Sequence, residues 1–265
     1  MRITATVIAH NEEHNIARAL ASLSWADEII VVDSESTDRT IDIARRYTER
    51  VFVRAWPGYS AQKNFAAEQA SNDWIFSLDS DEEVTLDLAD EITKLKQGPE
   101  PAAAGFEMPR LAYYLGRWIR HSGWYPDHKL RLYDRRRGRW EGDFVHETLK
   151  VTGPVGRLRG DLLHFTVRSA SEHQLRLDRY TTLAANADFA AGKRASFWSL
   201  LVTPRLVFLR SYFLKLGFLD GWQGLVIARF ASHYALLKAA KLRALNETPP
   251  PEPPQSPRTT TQSAG

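Results

Sequence analysis

Apolar residues recur in short bursts through the first hundred positions, and the spacing inside the bursts alternates between two periods. Ile3–Ala9 (ITATVIA) is apolar or β-branched throughout, as in a strand buried on both faces. Ile16, Leu20 and Leu23 then repeat at helical spacing, with Asn11 placed to cap that helix. Glu28–Asp33 (EIIVVD) reads as a second strand, and Ser36 or Thr37 caps a helix carrying Ile41, Ala44 and Tyr47. Residues 51–55 form a short third strand and residues 74–78 (WIFSL) a fourth. Leu88, Ile92 and Leu95 mark the helix that follows. Strands alternating with helices predict a mostly parallel α/β sheet covered on both faces.

The pattern changes beyond Gly98-Pro99-Glu100-Pro101. Residues 105–165 mix aromatics, arginines and short strand-like runs, at 129–133 and 162–165, which suits a mixed extension of the same sheet carrying long loops. A helix is expected over 170–192, then an apolar and basic helical stretch to about residue 245. The tail from Thr248 is rich in Pro, Thr and Ser and cannot bury a core. The expected organisation is therefore a first half over 1–100, a second half of the same domain over 101–192, a helical appendage over 193–245 and a disordered tail over 246–265.

Composition narrows the class without naming it. With 43% hydrophobic and 25% charged residues the chain is ordinary for a globular protein. A net charge of +3 is too small to argue for nucleic acid, and the basic residues are local, at Arg135, Arg136, Arg137 and Arg139 and again along 193–243. The absence of cysteine removes disulfides, thiol catalysis and thiolate zinc sites, and fits a reducing compartment. No secretory leader pattern opens the chain, and no run of about 18 uncharged apolar residues predicts a transmembrane helix.

In an open parallel sheet, ligands bind beyond the carboxyl ends of the strands. Three polar clusters fall at such ends: Ala9-His10-Asn11-Glu12-Glu13, Asp33-Ser34-Glu35-Ser36-Thr37-Asp38 and Asp79-Ser80-Asp81-Glu82-Glu83. Each alone reads equally as helix capping. The third is the most specific, because carboxylates two apart at a strand end can share one hard cation such as Mg or Mn.

These clusters, with Gln62-Lys63-Asn64, resemble the family-two glycosyltransferases of GT-A fold, and within them the lipopolysaccharide-core β-1,4-glucosyltransferase-like proteins. Further matches are Gly123-Trp124-Tyr125-Pro126-Asp127, Arg131-Leu132-Tyr133, Val145-His146-Glu147 and Gly217-Phe218-Leu219-Asp220-Gly221. The resemblance implies a GT-A-like fold and inverting transfer of a hexose, glucose by the likeness, from a UDP-sugar to a lipid-linked or lipopolysaccharide-core acceptor. It places Ala9, Glu12, Asp33, Lys63 and Asp79 around the nucleotide-sugar, and Asp81 with Asp79 on a divalent cation that His164 could also reach. The acceptor-side half must provide the base, for which Glu147 is preferred and Asp143 is the rival; Trp124, Asp127 and Arg131 suit acceptor binding. Several of these residues have plainer readings. Lys63 could be a solvated helix lysine, His164 a structural histidine, and the arginine run a solvated hairpin.

The basic, aromatic appendage suits an anionic membrane surface, which would make the protein peripheral on the cytoplasmic face of a bacterial inner membrane, with no nucleic acid partner. Two other readings compete with this one. A sugar nucleotidyltransferase calls for an early Gly-rich phosphate loop, and the first glycine here is Gly58. A non-catalytic scaffold would have no need of the Asp33, Asp79 and Asp81 set.

Overall fold

All seven residues of Ile3–Ala9 (β1) are buried, as their apolar and β-branched character requires, and the sheet grows outward from this strand. The computed structural model describes residues 1–142, 147–167 and 169–247. It divides into two units, Met1–Arg168 and Ser169–Gly265.

In the first unit β1 is followed by α1 (Ile16–Ala21), β2 (Glu28–Asp33), α2 (Thr40–Ala44), β3 (Val51–Val53), α3 (Tyr59–Glu68), β4 (Trp74–Asp79), β5 (Glu82–Val84) and α4 (Leu86–Gln97). Then come β6 (Gly105–Tyr114), β7 (Arg117–Ile119), β8 (Asp127–Asp134), β9 (Gly138–Glu141), β10 (Thr148–Val151), β11 (Val155–Arg157) and β12 (Leu162–Val167). The main sheet runs β3-β2-β1-β4-β8-β6-β12-β5, with β7 and β11 also pairing to β6, and β9 and β10 form a separate antiparallel ribbon. Its first four strands are parallel, β8 is antiparallel to both β4 and β6, and β12 is parallel to β6 but antiparallel to β5. The mixed extension expected after residue 100 is therefore present.

Side-chain alternation gives the sheet two cores. Ile3, Ala5, Val7, Trp74, Phe76 and Leu78 pack on one face with α1 and α4, while Ile8, Ile30, Val32 and Ile75 pack on the other with Ala66 and Ala67 of α3. At each strand that points to the ligand-binding edge, the apolar run ends where the chain turns polar: Ala9, Asp33 and Asp79 are the last residues of β1, β2 and β4.

Two helix starts differ from expectation. α1 begins at Ile16, with Asn15 rather than Asn11 at its N-cap position. Asn11 instead adopts a left-handed backbone (φ 54), which a short amide side chain tolerates. α2 begins at Thr40, because Asp38 Oδ1 accepts the Thr40 amide (2.9 Å) while Ser36 turns back to Asp33. The arginine run is a hairpin turn between β8 and β9. Arg135 donates to the Ala67 and Ala70 carbonyls and Arg136 pairs with Asp134, so these charges brace the fold.

The second unit is helical: α5 (Ala170–Ala190), α6 (Phe197–Leu201), α7 (Thr203–Leu209), a π-helical turn (Arg210–Leu214), a 3-10 turn (Gly217–Asp220) and α8 (Gly221–Asn246). Helix α5 thus groups with the C-terminal helices. Ser169 caps it by accepting the Glu172 amide (3.1 Å). α8 packs along α5 and α7. Among the described residues no helix is long and apolar enough to cross a membrane.

Candidate active site

The carboxyl ends of β1, β2 and β4 lie side by side because the register pairs Ala9 with Asp33 and Ile8 with Asp79. Ala9 is buried, and its carbonyl accepts the Ser34 amide (2.8 Å), which ties the two strand ends together. Asp33 has no exposed surface. Its Oδ1 accepts the Ser36 amide (2.7 Å) and its Oδ2 the Ser36 hydroxyl (2.6 Å), so the carboxylate holds the turn after β2. Glu12 is half-buried at the start of the first loop, where its Oε2 accepts from Asn15 Nδ2 (2.7 Å). Gln62 and Lys63 reach this edge from α3. Gln62 Nε2 donates to Ser34 Oγ (3.1 Å), and its buried Oε1 has no protein partner.

Lys63 is not the solvated lysine that its type allowed. Its side chain is 3% exposed, with Nζ 2.9 Å from Asp79 Oδ1 and 4.2 Å from the centre of the Trp140 ring. Arg131, from the middle of β8, reaches the other Asp79 oxygen, Nη2 to Oδ2 at 2.5 Å, and the same nitrogen donates to Glu82 Oε1 at 2.6 Å. Glu82 is wholly buried. It also accepts the Asp79 amide on Oε2 (3.1 Å) and Arg110 Nη1 on Oε1 (3.3 Å). Arg110 continues to Asp127 (2.7 Å), which Lys129 also approaches at 3.1 Å.

The electrostatics follow from this geometry. Burial alone would raise the Asp79 carboxyl, but the charges of Arg131 and Lys63 outweigh it and hold the group well below the ordinary carboxylate range. Burial would likewise lower the Arg131 guanidinium, and the Asp79 and Glu82 carboxylates reverse that. Asp127 is shifted down in the same manner, against burial, by Arg110 and Lys129. The result is a chain of alternating charges running from α3 through the end of β4 to β8 and β6.

Asp81 sits in the turn between β4 and β5. The antiparallel pairing of β5 with β12 sets His164 opposite Glu82, and His164 Nε2 lies 3.2 Å from Asp81 Oδ2. The Asp81 and His164 side chains are 22% and 15% exposed, so both can be reached from outside. The carboxylate oxygen fits Mn or Mg, and the imidazole nitrogen beside it favours Mn of the two, with the remaining positions left for phosphate oxygens and water. Asp79 differs, since each of its oxygens already faces a cation. Among the described residues no cluster of three or more His, Asp or Glu side chains gathers as a metal site.

The remaining expected site residues are more dispersed. Glu147 is half-buried and immediately precedes β10, in the separate ribbon rather than in a strand of the main sheet. Asp143 and His146 lie outside the described residues. Trp124 packs edge-on against Tyr114 (5.3 Å between ring centres), and Asp127 and Arg131 belong to the charge chain. Sequence reasoning gave no role to Glu82, Arg110 or Gln62. The one available signal was the acid directly following Asp79-Ser80-Asp81.

Residues 4–151 match the model of glycosyl transferase family 2. The lipopolysaccharide core biosynthesis glycosyltransferase LpsC of Rhizobium meliloti (strain 1021) is 34% identical over 247 residues, covering 91% of this chain and 91% of that protein. An uncharacterized glycosyltransferase of Rickettsia typhi is 31% identical over 263 residues, covering 92% and 88%. Among solved structures, the mannosyltransferase PcManGT from Pyrobaculum calidifontis, in complex with GDP-Man and Mn2+, superposes with a TM-score of 0.53 at 16% identity over 93% of this chain and 88% of that one. At that identity the likeness is one of fold, the GT-A arrangement of a mixed sheet with its polar strand ends at one edge. The chain belongs to glycosyl transferase family 2.

Proposed function

We propose that this protein is an inverting hexosyltransferase that moves glucose from UDP-glucose onto a lipid-linked or lipopolysaccharide-core oligosaccharide at the cytoplasmic face of the inner membrane. The observation that carries the reading is the Asp81–His164 pair beside the Lys63–Asp79–Arg131–Glu82 charge chain, at the edge where an α/β sheet binds nucleotides. The names of the relatives support it too: LpsC belongs to lipopolysaccharide core biosynthesis, and PcManGT was solved with a nucleotide-sugar and Mn2+.

In this reading the nucleoside lies along Ala9, Glu12 and the Asp33 turn, with the unpaired Gln62 Oε1 as a further acceptor for it. Asp81 and His164 would hold a divalent cation, which when bound offsets the negative charge that grows on the departing diphosphate. Lys63 and Arg131 fix the Asp79 carboxylate at the rim of that site. Glu147 takes the proton from the acceptor hydroxyl as its oxygen bonds to the anomeric carbon. The bond to UDP breaks in the same displacement, so the configuration inverts and no covalent enzyme intermediate forms. Trp124 and Asp127 are assigned to the acceptor side, while Arg131 acts through Asp79.

Calorimetry with UDP tests the donor half. Binding is expected to be weak in EDTA and stronger with Mn or Mg, and Asp81→Ala and His164→Ala should each remove the metal effect. Equal affinity with and without metal would overturn the assignment. For the acceptor half, Glu147→Gln should slow transfer by about 10²–10⁴ while UDP-glucose still binds. Wild-type turnover in that variant, with an inactive Asp143→Asn, would move the role to Asp143.

A further inference from the structure

The second unit carries an apolar surface that the transfer reaction does not use. Thirteen large apolar side chains between Phe197 and Leu225 are exposed, and among the described residues these account for about half of all such exposed groups. Within this segment Leu214 (78%), Trp198 (68%) and Phe197 (62%) stand furthest out, followed by Trp222 (59%). Scattered single exposures are ordinary, but a dense run within one short segment is not.

The backbone concentrates them at a corner. The π-helical turn ends at Leu214, Leu216 adopts a left-handed conformation (φ 54), and the 3-10 turn leads into α8 at Gly221 (φ 67). α8 crosses the corner with almost no clearance: a Cβ on Gly224 would lie 1.8 Å from the Gly217 carbonyl oxygen. The corner is therefore fixed by backbone packing, and Leu214, Leu216, Phe218 and Trp222 project from it.

Charge selects what covers this surface. From residue 189 to residue 246 the sequence has nine Lys and Arg residues and one acid, Asp220, which is buried. Arg205, Arg210 and Lys215 are exposed between the apolar residues and enter no ion pair among the described residues. A second copy of this basic face would have to bury like charges. An anionic lipid surface accepts the aromatic and aliphatic groups at its acyl boundary and the bases at its headgroups. No helix of the described residues is long and apolar enough to cross a bilayer, so contact with lipid would be along the surface.

We infer that the corner from Phe197 to Leu225 is a docking surface for an anionic membrane leaflet, with Leu214 and Trp222 inserted and Arg205, Arg210 and Lys215 at the headgroups. The inference extends the reading of a glycolipid acceptor, but its test measures lipid binding rather than transfer. Turnover on a soluble acceptor without lipid binding, or lipid binding without turnover, therefore tells which of the two has failed.

The full chain is sedimented with vesicles of phosphatidylcholine alone and with vesicles rich in phosphatidylglycerol. It is expected to pellet with the second, to be released by high salt, and to lose at least about tenfold in partitioning when Arg205, Arg210 and Lys215 are all changed to Glu. A second variant, Leu214→Ser with Trp222→Ser, checked for its helical circular dichroism, should lose binding as well. A chain that stays in the supernatant with both vesicles, or whose binding neither variant changes, overturns the inference. So does a lipid-free dimer that Leu214→Ser with Trp222→Ser dissociates, which would give the face to a second copy.

Discussion

Three donors converge on the carboxylate of Glu82, which has no exposed surface: the Asp79 amide, Arg131 and Arg110. Removing one partner of a buried charge set costs about 3–5 kcal/mol, because the other charge is left uncompensated. Glu82→Gln keeps the shape and removes the charge, so it should lower the unfolding free energy by an amount in that range and weaken UDP binding, since Asp79 is then the one carboxylate among the described residues facing Arg131. Unchanged stability would mean that the Arg131–Asp79 contact suffices. The same network sets an acid limit. The Asp79 carboxyl is depressed in the fold, so the stability it contributes is complete above the unfolded carboxylate value of about 3.9 and is lost as pH falls below it. Asp79, Asp81 and Lys63 could be picked out from strand ends and motif. Glu82 and Arg131 could not be given their roles, because their partner in each case is a residue about fifty positions away whose alignment depends on an antiparallel register that no local pattern encodes.

At the scale of elements, helix α3 shows where pattern reading fails for a physical reason. Its buried positions are Gln62, Lys63, Ala66 and Ala67, a proper helical face in which two of the four places carry polar side chains committed to the strand edge. A hydrophobic count therefore sees no stripe. The strands were legible because β1, β2 and β4 are largely apolar or β-branched on both faces, with β2 and β4 ending in an aspartate and β1 running into His10-Asn11-Glu12. Helix α5 was visible as a helix, but its grouping with α8 was not, since that rests on contacts such as the stack of His173 on Phe230 (4.1 Å between ring centres) and the Lys238–Asp188 pair (2.5 Å). Burial, with help from Arg176, holds the His173 imidazole below its ordinary value. The unfolded chain therefore takes up the proton first as pH falls, so the stability of the helical unit should be level above about pH 6.5 and decline below it. Amide hydrogen exchange in α5 and α8 at pH 5.5 and 7.5 measures the slope, and His173→Phe, which keeps a ring against Phe230, should flatten it.

On the scale of the whole molecule, family membership and fold were readable from the ordered motifs, whereas the division after residue 168 and the bracing role of the arginine hairpin became visible only in three dimensions. Helix α3 sends Lys63 to Asp79 at the end of β4, while its Asn64 side chain bonds the Trp140 backbone in both directions (2.9 Å each) and its Ser60 hydroxyl bonds the Gly142 carbonyl (2.7 Å). One helix thus touches the end of β4 through Lys63 and the β9 strand through the neighbouring Asn64. Two sites that share a rigid element are linked, and the linkage works equally in both directions. Under the proposed function, nucleotide-sugar and acceptor should each tighten the binding of the other, whichever binds first. Saturating UDP should tighten the acceptor by about fivefold or more, and Asn64→Ala should abolish that gain.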